Sequence, residues 1–281
     1  MKEEMDSRHG ILNYFLKWET LTPNNVFLRQ PIGNTWKEYT WKEAGFKARN
    51  VAAAIQRMNY PRGTKIGIWS GNCAEWIICD LAIMMGGYVS VPLYVNVNAE
   101  SLNGILLHSD CSLLFVGKLE EKYWDQNKDA IPPSVKSIAM DGYPNESLMS
   151  WNEFIGTSEI VSDLTFPSSD DLFTIIYTSG TTGAPKGVMH TFGTTINAVL
   201  AAIETVKLQQ PGNRFLSYLP LSHAAERGLV EFGAIYCGGS ISFVESVDSF
   251  SDTIREVMPT HFLGVPRVWE KFREKILEKI T

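Results

Sequence analysis

Short apolar runs of strand length alternate along this chain with stretches whose apolar residues recur at helical spacing. Residues 65–69, 88–93, 112–116 and 137–140 read as buried strands. Between them lie helical patterns. Ala48, Val51, Ala52 and Ile55 follow Thr40-Trp41-Lys42-Glu43, a capping-box pattern, and predict a helix to about Met58. A second helix is expected over 75–85, with Asn72 as its cap and Gly86-Gly87 as its end. Residues 99–108 and the more polar 120–126 complete the helices of this half. Residues 11–40 read as irregular, with short strands around Val26-Phe27-Leu28 and Trp36-Lys37-Glu38-Tyr39.

The alternation continues beyond residue 170. Strands are expected at 172–177, 188–190, 214–218, 241–244 and 261–265. Helices are expected around Ile196, Val199, Leu200 and Ile203, over 224–237 with Gly238-Gly239 as its stop, and over 251–258. A charged helix over 268–280 carries apolar positions at Trp269, Phe272, Ile276 and Ile280 that want a partner surface. Strands alternating with helices predict an α/β fold with mainly parallel, layered sheets. The polar tract 157–170, broken by Pro167, marks the expected boundary between a first α/β subdomain, 1–165, and a second, 166–281.

Composition narrows the function. The chain has 281 residues, 44% hydrophobic and 20% charged, ordinary for a globular protein. Its formal net charge of −6, with no dominant basic patch, argues against nucleic acid as a partner. The apolar run 76–95 contains a single charge, Asp80, but Gly86-Gly87 and Pro92 divide it into helix and strand rather than a membrane span. The charged start, Met1 to Asp6, lacks the apolar core of a secretion signal, which points to a cytoplasmic protein. Cys73, Cys79, Cys111 and Cys237 have no CxxC spacing and read as buried free thiols. His9, His108 and His190 fit no metal-ligand spacing.

One stretch is biased toward a single chemistry. Behind the strand at 172–177, Thr178-Ser179-Gly180-Thr181-Thr182-Gly183-Ala184-Pro185-Lys186-Gly187 gathers four hydroxyls, three glycines and a lysine. Glycines allow close backbone approach, hydroxyls supply donors or hard-cation ligands, and Lys186 supplies positive charge. Together they suit a polyphosphate with its magnesium. A Walker A motif would need Gly-Lys-Ser/Thr, and Pro185 disfavours a helix starting in the loop, so a clamp between two strands is expected. Farther on, Leu219-Pro220-Leu221-Ser222-His223 places His223 at the carboxyl end of a strand, where open α/β sheets bind ligands.

All eleven positions from Tyr177 to Gly187 resemble the signature of the adenylate-forming superfamily of acyl-CoA synthetases, luciferases and peptide-synthetase adenylation domains. Residues 67–97, 216–227 and the Val265-Pro266-Arg267-Val268-Trp269-Glu270-Lys271 stretch look like the long-chain fatty-acid–CoA ligase branch. The resemblance covers nearly the whole chain. It implies the N-terminal part of an acyl-CoA synthetase-like large domain, using ATP, Mg2+ and coenzyme A to convert a fatty acid to acyl-adenylate and then acyl-CoA. It also implies roles: Thr178 on magnesium; Thr178, Ser179, Gly180, Thr181, Thr182, Gly183, Lys186 and Gly187 on the nucleotide; His223 catalytic beside the acyl carboxylate. Ala224 and Gly228 would line the acyl site, the alternative being close helix packing; Gly264 would line the acyl or nucleotide cavity, the alternative being a strand end followed by a helix cap. Some bacterial members carry a gating Trp four residues after the histidine; Arg227 stands there in this chain.

The sequence lacks the Tyr-Gly-x-Thr-Glu motif, the later ribose-binding Asp, the hinge and the C-terminal-domain Lys of that family. An incomplete N-terminal fragment, inactive without its C-terminal domain, is therefore expected. Peripheral membrane contact suits a bilayer-partitioning substrate. Two alternatives stay open: a ligase for a medium-chain or aryl acid, and a non-catalytic nucleotide- or acyl-binding module.

Overall fold

A computed structural model describes residues 10–33, 35–156, 166–178, 186–206, 208, 212–246 and 248–280, with main chain only at 275, 276 and 278–280. In chain order the first half holds α1 (Ile11–Leu21), β1 (Val26–Ile32), β2 (Thr35–Thr40), α2 (Trp41–Gln56), β3 (Lys65–Trp69), α3 (Ala74–Met85), β4 (Val89–Leu93), α4 (Ala99–His108), β5 (Cys111–Val116), α5 (Glu121–Asn127), β6 (Lys136–Ala139) and α6 (Trp151–Ile155). The second half holds β7 (Leu172–Thr178), β8 (Lys186–Thr191), α7 (Phe192–Val206), β9 (Arg214–Ser217), α8 (Ala224–Glu226), a π-helical turn (Arg227–Glu231), α9 (Phe232–Cys237), β10 (Ser240–Phe243), α10 (Phe250–Val257) and α11 (Pro266–Ile280).

The strands form two sheets. A six-stranded sheet runs β6-β5-β3-β4-β7-β8, parallel except for the β7–β8 hairpin. A four-stranded sheet runs β2-β1-β10-β9, with the β1–β2 hairpin antiparallel and the rest parallel. Each sheet draws on both halves of the chain: β7 extends a sheet begun by β3 and β4, and β1 pairs with β10. The expected boundary near residue 165 therefore does not coincide with the division of strands between sheets, and residues 157–165 lie outside those described.

Strand alternation explains the layering. Ile66 and Ile68 of β3 and Leu113 and Phe115 of β5 face one core with α2 and α3. Trp69, Leu114 and Val116 face a second core under Leu102, Ile105 and Leu106 of α4. A sheet covered on both faces needs apolar residues at every position, which is why these strands read as continuous runs. All twelve residues of α3 are buried. Asp80, the lone charge of the run 76–95, thus enters the interior.

Several expectations meet the structure directly. Thr40 and Glu43 form a reciprocal capping box at α2, with Glu43 N donating to Thr40 Oγ1 at 3.2 Å and Thr40 N donating to Glu43 Oε2 at 2.8 Å. Gly238 ends α9 in the left-handed region at φ +69°, and a Cβ there would lie 2.5 Å from the Trp18 ring. The four cysteines are buried and free.

Other expectations change. Residues 11–21, read as irregular, form α1, whose Ile11, Leu12 and Phe15 enter the main core. The helix starts on Gly10 with no side-chain cap and no acid in its first turn, so its local start signals are missing. Residues 261–265 make only a single bridge, His261 to Phe215, instead of a strand. Cys73, not Asn72, occupies the N-cap of α3, without a side-chain cap bond.

Candidate functional site

The carboxyl ends of the two sheets face each other. Asn72, three residues beyond β3, donates from Nδ2 to Ser217 Oγ at 2.8 Å and to the Leu219 carbonyl at 2.6 Å, both at the end of β9. Lys118, two residues beyond β5, donates from Nζ to the Glu245 carbonyl at 2.9 Å and lies 3.0 Å from its Oε2, just beyond β10. Four strand ends thus meet, at the edge where parallel α/β sheets leave loops free to bind ligands.

The phosphate motif rises from the β7–β8 hairpin. Thr178 and Lys186 are paired across it, and both are exposed. The strand pairing thereby sets an exposed hydroxyl and an ammonium side by side at the hairpin end. Ser179, Gly180, Thr181, Thr182 and Gly183 lie outside the described residues. Gly187 has a packing reason: a Cβ there would stand 2.7 Å from Ile175 Cγ2 and 3.0 Å from the Tyr177 ring. Tyr177 is buried, and its hydroxyl lies 2.7 Å from His108 Nδ1, which fixes the ring beneath the loop's root. His190, farther along β8, has its pKa lowered by burial first and by Arg227 second, which favours the neutral imidazole.

His223 opens the helical segment after β9. It is exposed and is the N-cap of α8, its Nδ1 accepting the Ala225 N–H at 3.1 Å. A neutral imidazole that accepts at Nδ1 carries its proton on Nε2, so the free edge of His223 is a donor. That edge suits a carboxylate or a phosphate oxygen. Ala224 is exposed, and no atom lies within 4 Å of a Cβ built on Gly228, so the helix face after His223 has open space beside it. Gly264 differs: a Cβ there would meet the Trp269 indole at 2.5 Å, and Trp269 Nε1 donates to the Gly264 carbonyl at 2.9 Å.

A buried ionic cluster anchors this segment. Arg227 Nη2 donates to both oxygens of Asp80 at 2.6 and 2.7 Å and to Ser90 Oγ at 2.8 Å; its Nη1 donates to Thr174 Oγ1 at 2.8 Å. The guanidinium lies 4.4 Å from the Phe173 ring centre and 5.5 Å from those of Trp76 and Phe232. Glu231 approaches it at 3.7 Å, and its carboxyl is held well above the usual range by burial first and Asp80 second. Arg227 and Glu231 bracket the π-helical turn, where the Phe232 N–H bonds the Arg227 carbonyl. Burial also pushes the Glu226 carboxyl up to about 8, against bonds from Ser217, Tyr218 and Leu219 that pull it down.

Arg227 thereby links the two candidate subsites. Its main-chain N–H bonds the His223 carbonyl at 3.1 Å, and its side chain holds Thr174, four residues before Thr178 on β7. In the sequence Arg227 stands out only as the residue in place of a gating Trp, and Asp80 only as the single charge of the apolar run 76–95. The available signal was the pairing of a lone acid in a fully apolar helix with an Arg and a Glu spaced i, i+4. Among the described residues no group of His, Cys, Asp and Glu could hold a metal ion.

Residues 15–279 match the AMP-binding enzyme family, and the chain belongs to it. The chain is 33% identical over 254 residues to fatty acyl-CoA synthetase A of Dictyostelium discoideum, covering 86% of this chain and 38% of the relative. It is 32% identical over 281 residues to long chain acyl-CoA synthetase 2 of Arabidopsis thaliana, covering 92% and 42%. The chain therefore spans about two fifths of the length of these relatives. Among solved structures it superposes on the anthranilate CoA ligase AuaEII in complex with anthranoyl-AMP, with TM-score 0.80 at 18% identity over 92% of this chain and 50% of that one. The N-terminal domain of FACL13 from Mycobacterium tuberculosis gives 0.79 at 20% identity over 94% and 65%. At these identities the structures bear on the fold alone.

Proposed function

We propose that this chain supplies the acid- and phosphate-binding part of an AMP-forming long-chain fatty-acid–CoA ligase. The observation that carries the reading is exposed His223, whose Nδ1 accepts the Ala225 N–H and leaves Nε2 to donate, beside the open helix face at Gly228. The relatives named for fatty acyl-CoA synthesis support the choice of a fatty acid over other carboxylates.

In this reading a carboxylate oxygen attacks the α-phosphorus of magnesium-bound ATP, the bond to pyrophosphate breaks, and acyl-adenylate forms. The thiol of coenzyme A then displaces AMP. No protein nucleophile is needed; positioning and neutralisation of charge perform the work. Lys186 and Thr178 at the hairpin end, with Ser179, Gly180, Thr181, Thr182, Gly183 and Gly187 of the motif, hold the polyphosphate. Thr178 offers the oxygen ligand that a hard cation prefers. His223 donates from Nε2 to the carboxylate, orienting it while leaving its nucleophilic oxygen unprotonated. Ala224 and Gly228 leave room for the acyl chain, and Gly264 lies under Trp269 at the margin of that region. Peripheral membrane contact suits a substrate that partitions into bilayers; no helix among the described residues is long and apolar enough to cross one.

The 281 residues by themselves are expected to bind without completing adenylation, because the acidic magnesium partner and the closing lysine of the family are not among them. The test is pyrophosphate release by the whole gene product with ATP, coenzyme A and acids from acetate to oleate, benzoate included. Strong preference for the longer acids supports the reading. Preference for acetate or benzoate, or no acid-dependent release, overturns it.

A further inference from the structure

We propose that Asn72 is a positioning residue for His223, its carboxamide setting where the imidazole meets the substrate carboxylate. The inference rests on the ligase reading for its kinetic consequence, but its geometric claim stands apart from it.

The segment from Tyr218 to His223 leaves β9 and enters α8 with few bonds of its own. Its start is held by Glu226, whose Oε1 accepts the Tyr218 N–H at 3.0 Å, and its end by the His223 N–H on the Pro220 carbonyl at 2.9 Å. Between them Pro220 has no N–H, so neighbouring groups must find partners elsewhere. Asn72 provides them. Its Nδ2 reaches the Leu219 carbonyl at 2.6 Å and Ser217 Oγ at 2.8 Å, and its Oδ1 accepts the Leu221 N–H at 3.0 Å. One half-buried side chain thus spends both amide donors and its acceptor on the turn that delivers His223.

Asn72 also belongs to the other sheet. It follows β3, which pairs with β4, and β4 pairs with β7, the strand that ends in Thr178. The three bonds therefore fix the His223 turn in the frame that carries the phosphate motif. A shift of about 1 Å between reacting groups lowers rates by up to about 100-fold, so a side chain defining this spacing acts on chemistry without touching substrate.

The experiment uses the full-length gene product. Asn72→Ala is compared with wild type, His223→Gln and the double variant in kcat/KM for the fatty acid, KM for ATP, melting temperature, and the histidine 13Cε1 spectrum. The expected result is a 10- to 100-fold loss in kcat/KM for the acid, a smaller change in KM for ATP, a displaced His223 resonance, and a double variant no worse than His223→Gln alone. An unmoved His223 resonance in folded Asn72→Ala overturns the proposal, as does full additivity with His223→Gln. Should Asn72→Ala not fold, Asn72→Asp, which keeps the acceptor for Leu221 N but loses both donors, is read by the same criteria. If wild type shows no acid-dependent turnover the ligase reading fails, and the position of the His223 resonance still decides whether Asn72 places it.

Discussion

Replacing Arg227 by Met should destabilise the protein strongly, and replacing Asp80 as well should restore much of the loss. The side chains of Arg227 and Asp80 are 2% and 0% exposed, so neither charge has water to fall back on. Removing the guanidinium strands Asp80 in an apolar interior, which costs about 3–5 kcal/mol for a buried pair. Met keeps much of the packing against Phe173, Trp76 and Phe232, so the loss reports mainly the orphaned charge. At roughly 2–4 °C per kcal/mol for a domain of this size, melting falls by roughly 6–20 °C. In the double variant Asp80→Leu/Arg227→Met the charge is gone, and about 1–4 kcal/mol should return. Urea unfolding followed by tryptophan fluorescence measures both. A loss under about 1 kcal/mol for Arg227→Met, or a double variant as unstable as the sum of its singles, would refute the claim that this pair anchors the His223 segment to the larger sheet.

Two further outcomes follow from neighbouring residues. The Glu226 carboxyl stands at about 8 in the native protein against an ordinary 4.5, so the native state binds more protons in that window and stability falls as pH rises from 4.5 toward 8. Melting temperature against pH should show this decline, to which Glu226 contributes at most about 1.4 kcal/mol per pH unit and buried Glu231 adds with the same sign, and Glu226→Gln should make it shallower; an unchanged profile contradicts the assignment. Gly238→Ala should cost roughly 2–5 kcal/mol in urea unfolding, combining left-handed strain with a Cβ pressed on Trp18, whose ring is held by its own bond to the Tyr236 carbonyl; a cost under about 1 kcal/mol would show that Trp18 yields.

Much of the fold is legible because its signals are local. Strands β3 and β5 of the larger sheet are apolar on both faces, and the α2 start is written in Thr40 and Glu43, three residues apart. Where structure depends on distant partners, the sequence misleads or is silent. Asn72 has the residue type and place of a helix cap, yet its carboxamide bonds a loop 145 to 149 residues away. The Arg227–Asp80 pair spans 147 residues. Helix α1 has no start signal because its stability lies in what Ile11, Leu12 and Phe15 touch. The phosphate motif was readable as a string of residue types, but the packing reason for Gly187 appears only with Tyr177 and Ile175 beneath it.

In the proposed ligase, acid and nucleotide meet at the facing carboxyl ends of the two sheets. A crystal structure with a non-hydrolysable long-chain acyl-sulfamoyl adenosine tests it most directly. The acyl carbonyl end is expected at His223 Nε2, the chain passing Gly228, and the adenylate side toward Thr178 and Lys186. A ligand bound elsewhere, or one that leaves His223 without contact, would contradict it.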